Sequence, residues 1–422
     1  MNEVRNILVG MEIGETSAQI AYYDRKGKEP VSVPIKVGTN LYVFPVQLVK
    51  MPGRDEWHFG YEAEYFAKER GGIVCPNPVG TAISGQSVVV DGTEMAPDEL
   101  LAIFIKESLS LLGVPLASTT IGGICVTCGG MTGNLALTVM KALTRIGFKK
   151  EVCFVADLEE SFYYYCYSMK PEIRARSMGL IRFSGNEASF SRIHESKSGR
   201  SFVVTISDAG QCVLPEEKEE RDAAFAEAVG SWTNGVPYSG IFITGEGFGT
   251  DWAKESVRAL SRAAAHVFEG DNLFVKGACW AVCEQLERHA FKNRVYFGPD
   301  HIRSNVGIDV IENGQQQFLP LIAAGTSYYL CETECDIILD GRDDLLVTVR
   351  FADSAAHRNE KLMLEGLPDR PPRTTRLHLT LTCPSVSECV LTAEDLGFGE
   401  LFPATHKTYT MKIGLEREEE IG

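Results

Sequence analysis

The chain has 422 residues, 44% of them hydrophobic and 23% charged, which is the composition of a folded globular protein rather than of a disordered or coiled-coil chain. This length exceeds one ordinary domain and predicts two or three. Lys and Arg number 41 against 57 Asp and Glu, so the formal net charge is −16. That charge repels phosphate backbones and argues against nucleic acid as the main partner.

The apolar segments and the cysteines predict a cytoplasmic protein. The N-terminal segment has only a few apolar residues before Glu12, and no run approaches the ~18 apolar residues of a membrane helix. The twelve cysteines lie mostly in apolar company, which favours buried reduced thiols over a disulfide framework. The pairs Cys125/Cys128 and Cys331/Cys335 lie in strand-like runs, where a zinc or redox pair is disfavoured.

Strands and helices alternate in the first part of the chain. Strands at 7–10 and 18–23 with a polar turn at 14–17 predict a hairpin. The patterns that follow predict helices at 98–112, 134–146 and 159–168 and strands at 121–127 and 148–155, with Gly147 ending the second helix. This order is typical of an α/β architecture.

A second set of elements repeats the first. Strand-like runs at 178–191 and 201–213, joined by a polar turn, predict another hairpin. A helix at 215–229 begins in the charged, solvated run 215–222, and a strand at 241–244 runs into Gly245-Glu246-Gly247. Helices are predicted at 251–265 and 274–289. The repetition of a hairpin followed by helix and strand predicts a duplicated α/β fold.

Beyond residue 298 the helical periodicity stops. Short β-rich runs, among them TSYYLC at 326–331, recur with Gly, Pro and Asp between them. We therefore predict a first domain at 1–298, a β-sandwich domain at 299–415 and an acidic tail at 416–422.

The turn of the first hairpin carries the residue types that hold phosphate. Gly14 allows a tight turn whose N–H groups point at one spot, and the hydroxyls of Thr16 and Ser17 can donate to phosphate oxygens. The Glu12 carboxylate, two residues before the glycine, can orient a hydrated Mg²⁺. Most turns of this composition are ordinary hairpins, so the turn needs its context.

In order, these pieces resemble the nucleotide-binding fold of actin and the heat-shock proteins, most of all the DnaK-type 70-kDa chaperones, in a divergent bacterial branch. NILVGMEIGETSAQIAYYD is similar to the first phosphate hairpin, IFITGEGFGTDWAKESVRAL to the adenosine motif, and GDNLFVKGACWA to the closing helix. NVGIDV, FLPLIAAGTSYYL and the later β-rich runs resemble the chaperone domain that binds extended peptides.

This resemblance implies an actin-like (ribonuclease H-like) domain that binds ATP or ADP with Mg²⁺, and a β-sandwich that binds a polypeptide client. It assigns Glu12 to water-mediated Mg²⁺ contact and to catalysis together with Glu160. The residues it assigns to the nucleotide are Gly14, Glu15, Thr16, Ser17, Gly185, Asn186, Gly245, Glu246, Gly247 and Lys276. The glycines of the adenosine motif would let adenine and ribose lie against the backbone.

Departures from the family pattern bear on activity. The first hairpin has Glu12 where the family has Asp, and the second phosphate motif keeps only Gly185 and has no Asp. Asp157, Glu159 and Glu160 are all candidates for the carboxylate that places the attacking water. The chain from 213 to 241 is too short for the subdomain that clamps the adenine in DnaK proteins.

Three functions remain open from the sequence. The first is an ATP-binding protein with slow or no ATPase activity that couples its nucleotide state to polypeptide binding. The second is a degenerate, non-hydrolysing scaffold of the same fold. The third, a filament-forming actin relative, is weakened by the C-terminal β-domain, which such filaments do not need.

Overall fold

The computed structural model describes residues 6–115, 120–198, 201–291 and 293–417. The chain forms two compact units. The first contains the residues up to 194 together with 206–291, and the second contains 195–205 together with the chain after 291. This division differs from the predicted boundary at 298 in its position and in the assignment of residues 195–205 to the second unit.

The first half of the first unit has one main sheet, two small sheets and five α-helices among its described residues. Its elements are, in chain order, β1 Ile7–Ile13, β2 Ser17–Asp24, β3 Glu29–Ser32, β4 Phe44–Pro45, β5 Leu48–Lys50, β6 Trp57–Phe59, α1 Gly60–Glu69, β7 Ile73–Val74, α2 Pro78–Ser84, β8 Val88–Val90, β9 Thr93–Met95, α3 Pro97–Leu109, β10 Ile121–Cys128, α4 Gly133–Ile146, β11 Cys153–Asp157 and α5 Leu158–Ser168. The main sheet has the order β11-β10-β1-β2-β3, with β4 paired to β2. Strands β1, β10 and β11 are parallel, and β2 is antiparallel to β1.

The second half repeats that arrangement. Its elements are β12 Ser177–Ser184, β13 Glu187–Ser198, β14 Ser201–Val213, α6 Lys218–Thr233, β15 Tyr238–Glu246, α7 Lys254–Ala263, β16 Ala264–Glu269 and α8 Leu273–Cys283, which continues as a π-helix at Glu284–Arg288. The strand order is β16-β15-β12-β13-β14. Strands β12, β15 and β16 are parallel, and β13 is antiparallel to β12. Both sheets therefore share one strand order and one pattern of direction.

Local signals explain where these elements stop and how closely they pack. Helix α4 begins after Thr132, whose side chain accepts a hydrogen bond from Leu135 N, and ends at Gly147 in the left-handed conformation, φ +109°. Helix α8 lies directly on β1 at Gly10, where an added Cβ would be 2.4 Å from Val275 O. The first unit thus packs its last helix on its first strand through a glycine.

Four predicted elements are wrong in detail. The run 178–191 is not one strand, because the chain folds back at Gly185 and forms β12 and β13. The predicted helix 251–265 is shorter, and its last residues begin β16, which pairs with β15. The strand predicted at 148–155 begins only at Cys153, after a short 3₁₀ turn, and TSYYLC contains the 3₁₀ turn Tyr328–Leu330 rather than a strand. In each case pairing or turn geometry overrides the local pattern.

The second unit consists of antiparallel sheets. Its strands are β17 Arg294–Tyr296, β18 Ser304–Glu312, β19 Gln315–Ile322, β20 Glu332–Leu339, β21 Asp344–Phe351, β22 His357–Met363, β23 Thr375–Ser385, β24 Glu388–Gly397 and β25 Thr408–Gly414. Two four-stranded sheets, β19-β18-β21-β22 and β20-β23-β24-β25, bury one face each in a common core. Strand β17 pairs in parallel with residues 202–204 of β14.

Within the described ranges, no helix combines the length and the apolarity needed to cross a membrane.

Candidate functional site

The candidate site lies where the parallel strands of the first unit end. Glu12 of β1 is in register with Thr127 of β10, and Asp157 ends β11 beside Cys128. In the second sheet, β12 and β15 end together at Ser184 and Glu246. In open α/β sheets, ligands bind outside the carboxyl ends of the strands. Most residues that the sequence assigns to the site are therefore at the edges where ligand binding is expected.

Glu12 is half-buried, and the pKa of its carboxyl group is raised. Its Oε2 accepts a 2.8 Å hydrogen bond from Gln19 Nε2, on the strand directly opposite. Burial raises the pKa of Glu12 from its ordinary value of 4.5 to about 7. The hydrogen bonds from Gln19 and from the Val275 N–H lower that pKa, and the nearby Asp271 carboxylate raises it. At neutral pH the carboxyl group is therefore only partly ionised.

Asp271 connects the first hairpin to the glycine motif of the second half. Its backbone carbonyl accepts a 2.7 Å hydrogen bond from Gln19 Nε2, the same group that donates to Glu12. Its Oδ1 accepts a 3.0 Å hydrogen bond from Gly245 N. A continuous chain of hydrogen bonds therefore runs from Glu12 through Gln19 and Asp271 to Gly245.

The first hairpin turn is exposed and is supported from outside. Gly14 N donates to Ser17 O at 2.8 Å and closes the turn. Asn77 Nδ2 donates to Glu15 O at 2.7 Å, and Val46 N donates to Thr16 O. The side chains of Glu15, Thr16 and Ser17 point to solvent. This turn keeps free hydroxyls at the place where the sequence predicts phosphate contacts.

The second hairpin turn is bound to its own chain. Gly185, φ +63°, lies between the paired residues Ser184 and Glu187, a position that favours glycine. Its N–H donates to Glu246 O at 2.8 Å, and its carbonyl accepts a 2.6 Å hydrogen bond from Arg221 Nη2. The backbone groups of Gly185, which the resemblance assigns to phosphate, are therefore already used. The neighbouring Asn186 O accepts from Leu214 N.

Arg221 joins this turn to the glycine motif. Its Nη2 donates to Gly247 O at 3.2 Å as well as to Gly185 O, and its guanidinium lies 5.0 Å from the ring centre of Trp252. A cation held between two carbonyls and an aromatic face is well stabilised. Arg221 thus fixes the second turn against the end of β15.

Gly245 and Gly247 are required by the protein backbone itself. Their φ angles are +92° and +131°, and an added Cβ would lie 2.1 Å from Phe183 O and from Gly185 O, respectively. The sequence interpretation assigned these glycines to adenine and ribose. In the structure, both positions require glycine because the backbone after β15 lies too close to the end of β12 to leave room for a side chain.

The three candidate carboxylates near α5 have separate positions. Asp157 caps the helix, accepting a 2.6 Å hydrogen bond from Glu160 N. Glu159 lies 3.8 Å from Arg182, and its pKa is raised by burial and lowered by that arginine. Glu160 lies on the first turn of α5, and its charge raises the pKa values of Cys125 and Tyr164. The helix cap therefore removes Asp157 from the list of free bases.

Lys276 and Glu246 have limited roles in the geometry. Lys276 is half-buried on α8, directly after Val275, whose N–H contacts Glu12. Glu246 points its side chain to solvent and contributes its carbonyl to the second turn. Glu12, Gly185, Glu246 and the two glycines are thus linked by hydrogen bonds.

The site is acidic, and no cation cage is built into it. Glu12, Asp157, Glu246 and Asp271 lie at its strand ends. In the described part of the chain, no group of three or more His, Cys, Asp or Glu side chains is placed to hold a metal ion. Water-mediated Mg²⁺ contact at Glu12 stays a prediction.

Sequence reasoning missed Gln19, Arg221 and Asp271. Arg221 and its neighbour Asp222 lie in the run predicted to be a solvated helix start, which is wrong at its end. Asp222 is 7% exposed and accepts hydrogen bonds from Glu255 N and Ser256 N. The available signals were a polar residue within the apolar strand β2 and the aspartate directly before α8.

The cysteines behave as predicted. All twelve are free thiols, most of them buried. Cys125 and Cys128 are both buried on β10, and burial raises their pKa values. Cys331 contacts Cys383, at 3.2 Å between sulfurs, rather than Cys335.

Two family models match the chain. The C-terminal model of a family of unknown function (DUF5716) matches residues 29–299, which is more than half of the chain. A model of a domain of unknown function (DUF8552) matches residues 301–415. The two matches meet at residue 300, close to the predicted boundary at 298. No curated protein matches the chain.

Proposed function

The chain belongs to the DUF5716 family, of unknown function, and we propose from its own site that it is a polypeptide-binding protein on an actin-like frame that does not hydrolyse ATP. This proposal combines two expectations from the sequence: the non-hydrolysing scaffold, and the polypeptide binding that the resemblance to chaperones implies. The proposal has three parts: the actin-like frame, a nucleotide site that does not hydrolyse ATP, and a polypeptide-binding surface. Each has its own support.

The actin-like frame is supported by the repeated strand order. The five strands β11-β10-β1-β2-β3 and the five strands β16-β15-β12-β13-β14 have the same arrangement of a hairpin beside parallel strands. The resemblance of the quoted motifs to the DnaK-type chaperones supports the same interpretation. A fold carries many functions, so the activity depends on the turns at the strand ends.

Closure of the second turn is the observation that carries the proposal. Phosphoryl transfer depends on donors and cations positioned around the transferred group. At Gly185 the N–H and the carbonyl are bound to Glu246 and Arg221, and the motif contains no Asp. The second turn therefore offers neither the Gly185 N–H nor a carboxylate to the phosphates, and hydrolysis lacks the contacts that this turn would supply.

The charge of the site supports the same conclusion. The carboxylates at the strand ends repel the phosphates of ATP unless a cation neutralises them. Burial raises the pKa of Glu12, the residue expected to orient Mg²⁺, to about 7, so without a cation beside it this carboxyl group is only partly ionised at neutral pH.

Polypeptide binding is supported by the open edges of the second unit. Ile338 of β20 and Met363 of β22 lie on edge strands, with 53% and 44% of their surfaces exposed. Edge strands offer unpaired N–H and C=O groups to an extended peptide, and exposed apolar side chains add contact area. On β18, Ile308 lies in the core of the second unit, whereas Ile311 is 68% exposed.

A second candidate is a nucleotide sensor that binds ATP without turnover. The exposed side chains of Thr16 and Ser17 in the first turn favour it. In both candidates we propose a cytoplasmic location, supported by the free thiols.

Titration calorimetry with Mg·ATP, together with a phosphate-release assay, separates these functions. We expect no phosphate release above the buffer rate. ATP binding that Glu12→Ala weakens and the control Glu94→Ala, at an exposed residue of β9 outside the site, does not would favour the sensor. Phosphate release that Glu12→Ala abolishes would overturn the proposal.

Client binding is tested on the full chain with a fluorescent, reduced and carboxymethylated polypeptide. Anisotropy should report binding that Ile338→Lys and Met363→Lys weaken, because both changes charge the apolar edges. Val89→Lys, at a residue of the first unit that is 68% exposed, is the matched control. Binding unchanged in all three variants would contradict a role for the edges of the second unit.

A further inference from the structure

An open cavity of about 670 Å³ lies in the first unit, at the opposite strand ends from the candidate site. It is lined by the residue before β12, the last turn of α6, the start of β15 and the end of α7. Its volume is within the range of small-molecule sites. Neither the family resemblance nor the proposed function uses it.

Small residues on two helices create this space. Ala226 and Gly230 of α6 are four residues apart, as are Ala259 and Ala263 of α7, so each pair lies on one helix face. Gly230 has open space around the position of an added Cβ, with nothing within 4 Å. The helices therefore leave a gap that larger side chains would fill.

The charged residues of the lining are two arginines, Arg176 and Arg262. Neither guanidinium forms an ion pair or a hydrogen bond with the described residues. Both arginine side chains are exposed at the cavity, in a chain whose formal net charge is −16. No carboxylate lines the cavity to neutralise them.

The walls behind these arginines are fixed and partly apolar. Buried Ser239 accepts a 3.1 Å hydrogen bond from Arg176 N and donates to Ile173 O, which anchors the backbone of Arg176. Tyr238, at the start of β15, is 2% exposed and accepts a 2.5 Å hydrogen bond from Arg192 Nε, so it fixes the strand behind the cavity. Pro237 adds a rigid apolar surface beside it.

We propose that this cavity binds a small organic oxyanion, a carboxylate or phosphate monoester that carries an apolar group. The arginines provide planar forks that match such oxyanions, and Val236 and Pro237 of the lining offer apolar surface to the body of the ligand. The site is distinct from the strand-end site, so it stands whether or not the proposed function is correct.

Phenyl phosphate is the probe, with benzoate as the carboxylate form and benzamidine as a cation of similar shape. Equilibrium dialysis of the full chain should show binding of both anions and none of benzamidine. The ratio of the two anion affinities tells which oxyanion the site prefers. Arg176→Gln and Arg262→Gln should each weaken binding by about tenfold, the usual size of one lost charge-assisted contact.

Gly230→Phe is the decisive variant, because it keeps both arginines and fills the cavity from a position where a side chain has room. It should abolish binding while the thermal unfolding midpoint stays at the wild-type value or rises. Lys141→Gln, which removes an exposed charge from α4, outside the lining, should bind as the wild type does.

Several outcomes overturn the proposal. They are no binding of either anion at millimolar concentration, equal binding of benzamidine, and phenyl phosphate affinity unchanged in Gly230→Phe. Loss of binding in Lys141→Gln as strong as in Arg262→Gln also overturns it, because the effect would then be one of general charge. If Arg262→Gln lowers only stability, the arginine serves the helix end and not a ligand.

Discussion

The two hairpin turns of the first unit occupy equivalent places in two sheets of the same strand order, yet their surroundings differ. The turn at 14–17 exposes its hydroxyls and is held from outside by Asn77. The turn at Gly185 is bound from inside by Glu246 and Arg221. The comparison teaches that a strand order can persist while the backbone groups of one turn are withdrawn from ligands. Function in such a fold depends on the turns rather than on the sheets.

The largest expected effect comes from crowding the second turn. Gly245→Ala should lower the free energy of unfolding by about 3 kcal/mol or more, because it combines a left-handed φ with a Cβ 2.1 Å from Phe183 O. Gly130→Ala is the matched control, with φ +64° and no atom near the added Cβ. It should lose only about 1 to 2 kcal/mol, the strain of the backbone alone. Urea unfolding measures both, and equal losses would contradict the close approach of β15 to β12.

Removing the cation of the second turn should have a smaller effect. Arg221→Ala should lower the free energy of unfolding by about 2 kcal/mol, because it removes two charge-assisted hydrogen bonds and the contact with Trp252. Hydrogen exchange at the Gly185 amide should become faster as the turn loosens. Lys218→Ala, which breaks an exposed ion pair on the same helix, should change stability by less than about 1 kcal/mol. An unchanged exchange rate at Gly185 in Arg221→Ala would show that the arginine does not fix the turn.

The smallest effect concerns the first turn and pH. The pKa of Glu12 is about 7 in the folded protein and 4.5 as its ordinary value, so the folded state binds more protons between these pH values. Wild-type stability should therefore fall as pH rises from 4.5 to about 7. Glu12→Gln removes this dependence and should be more stable than the wild type at pH 8 by about 1 kcal/mol, after losing one acceptor.

The check on that prediction is urea unfolding at pH 5 and pH 8. The exposed Glu15→Gln, from the same turn, should keep the wild-type difference between the two pH values. If Glu12→Gln also keeps it, the carboxyl group is not the source of the pH dependence.

Much of the secondary structure was predictable because its signals are local. Helix α4 ends at Gly147, where a glycine in the left-handed conformation stops the helix, and Pro97 marks the start of α3. Strand β16 was missed because its Ala-rich start continues a helical pattern, and only its pairing with β15 makes it a strand. The turn at Gly185 was missed although Ser184-Gly185-Asn186-Glu187 is a polar run of turn-forming residues between two apolar segments.

The site was less predictable than the fold. Individual site residues such as Glu12 and Gly245 can be recognised from the residue types around them. The hydrogen bonds that connect them cannot. Gln19 donates to Asp271 O across 252 residues of sequence, a contact that no local pattern indicates. The hydrogen bond to the Gly185 carbonyl could not be predicted for the same reason, because its donor, Arg221, lies on another element.

The pairing of β17 with residues 202–204 has a consequence for synthesis of the chain. Tyr296 follows its partner Val204 by about 92 residues in the chain. At a synthesis rate of about 5–20 residues per second, β14 therefore waits roughly 5 to 20 s for its partner strand. During that interval the edge of β14 offers its N–H and C=O groups to any other extended chain. Translation speed, and whatever covers that edge meanwhile, therefore affects the yield of native protein independently of the stability of the finished fold.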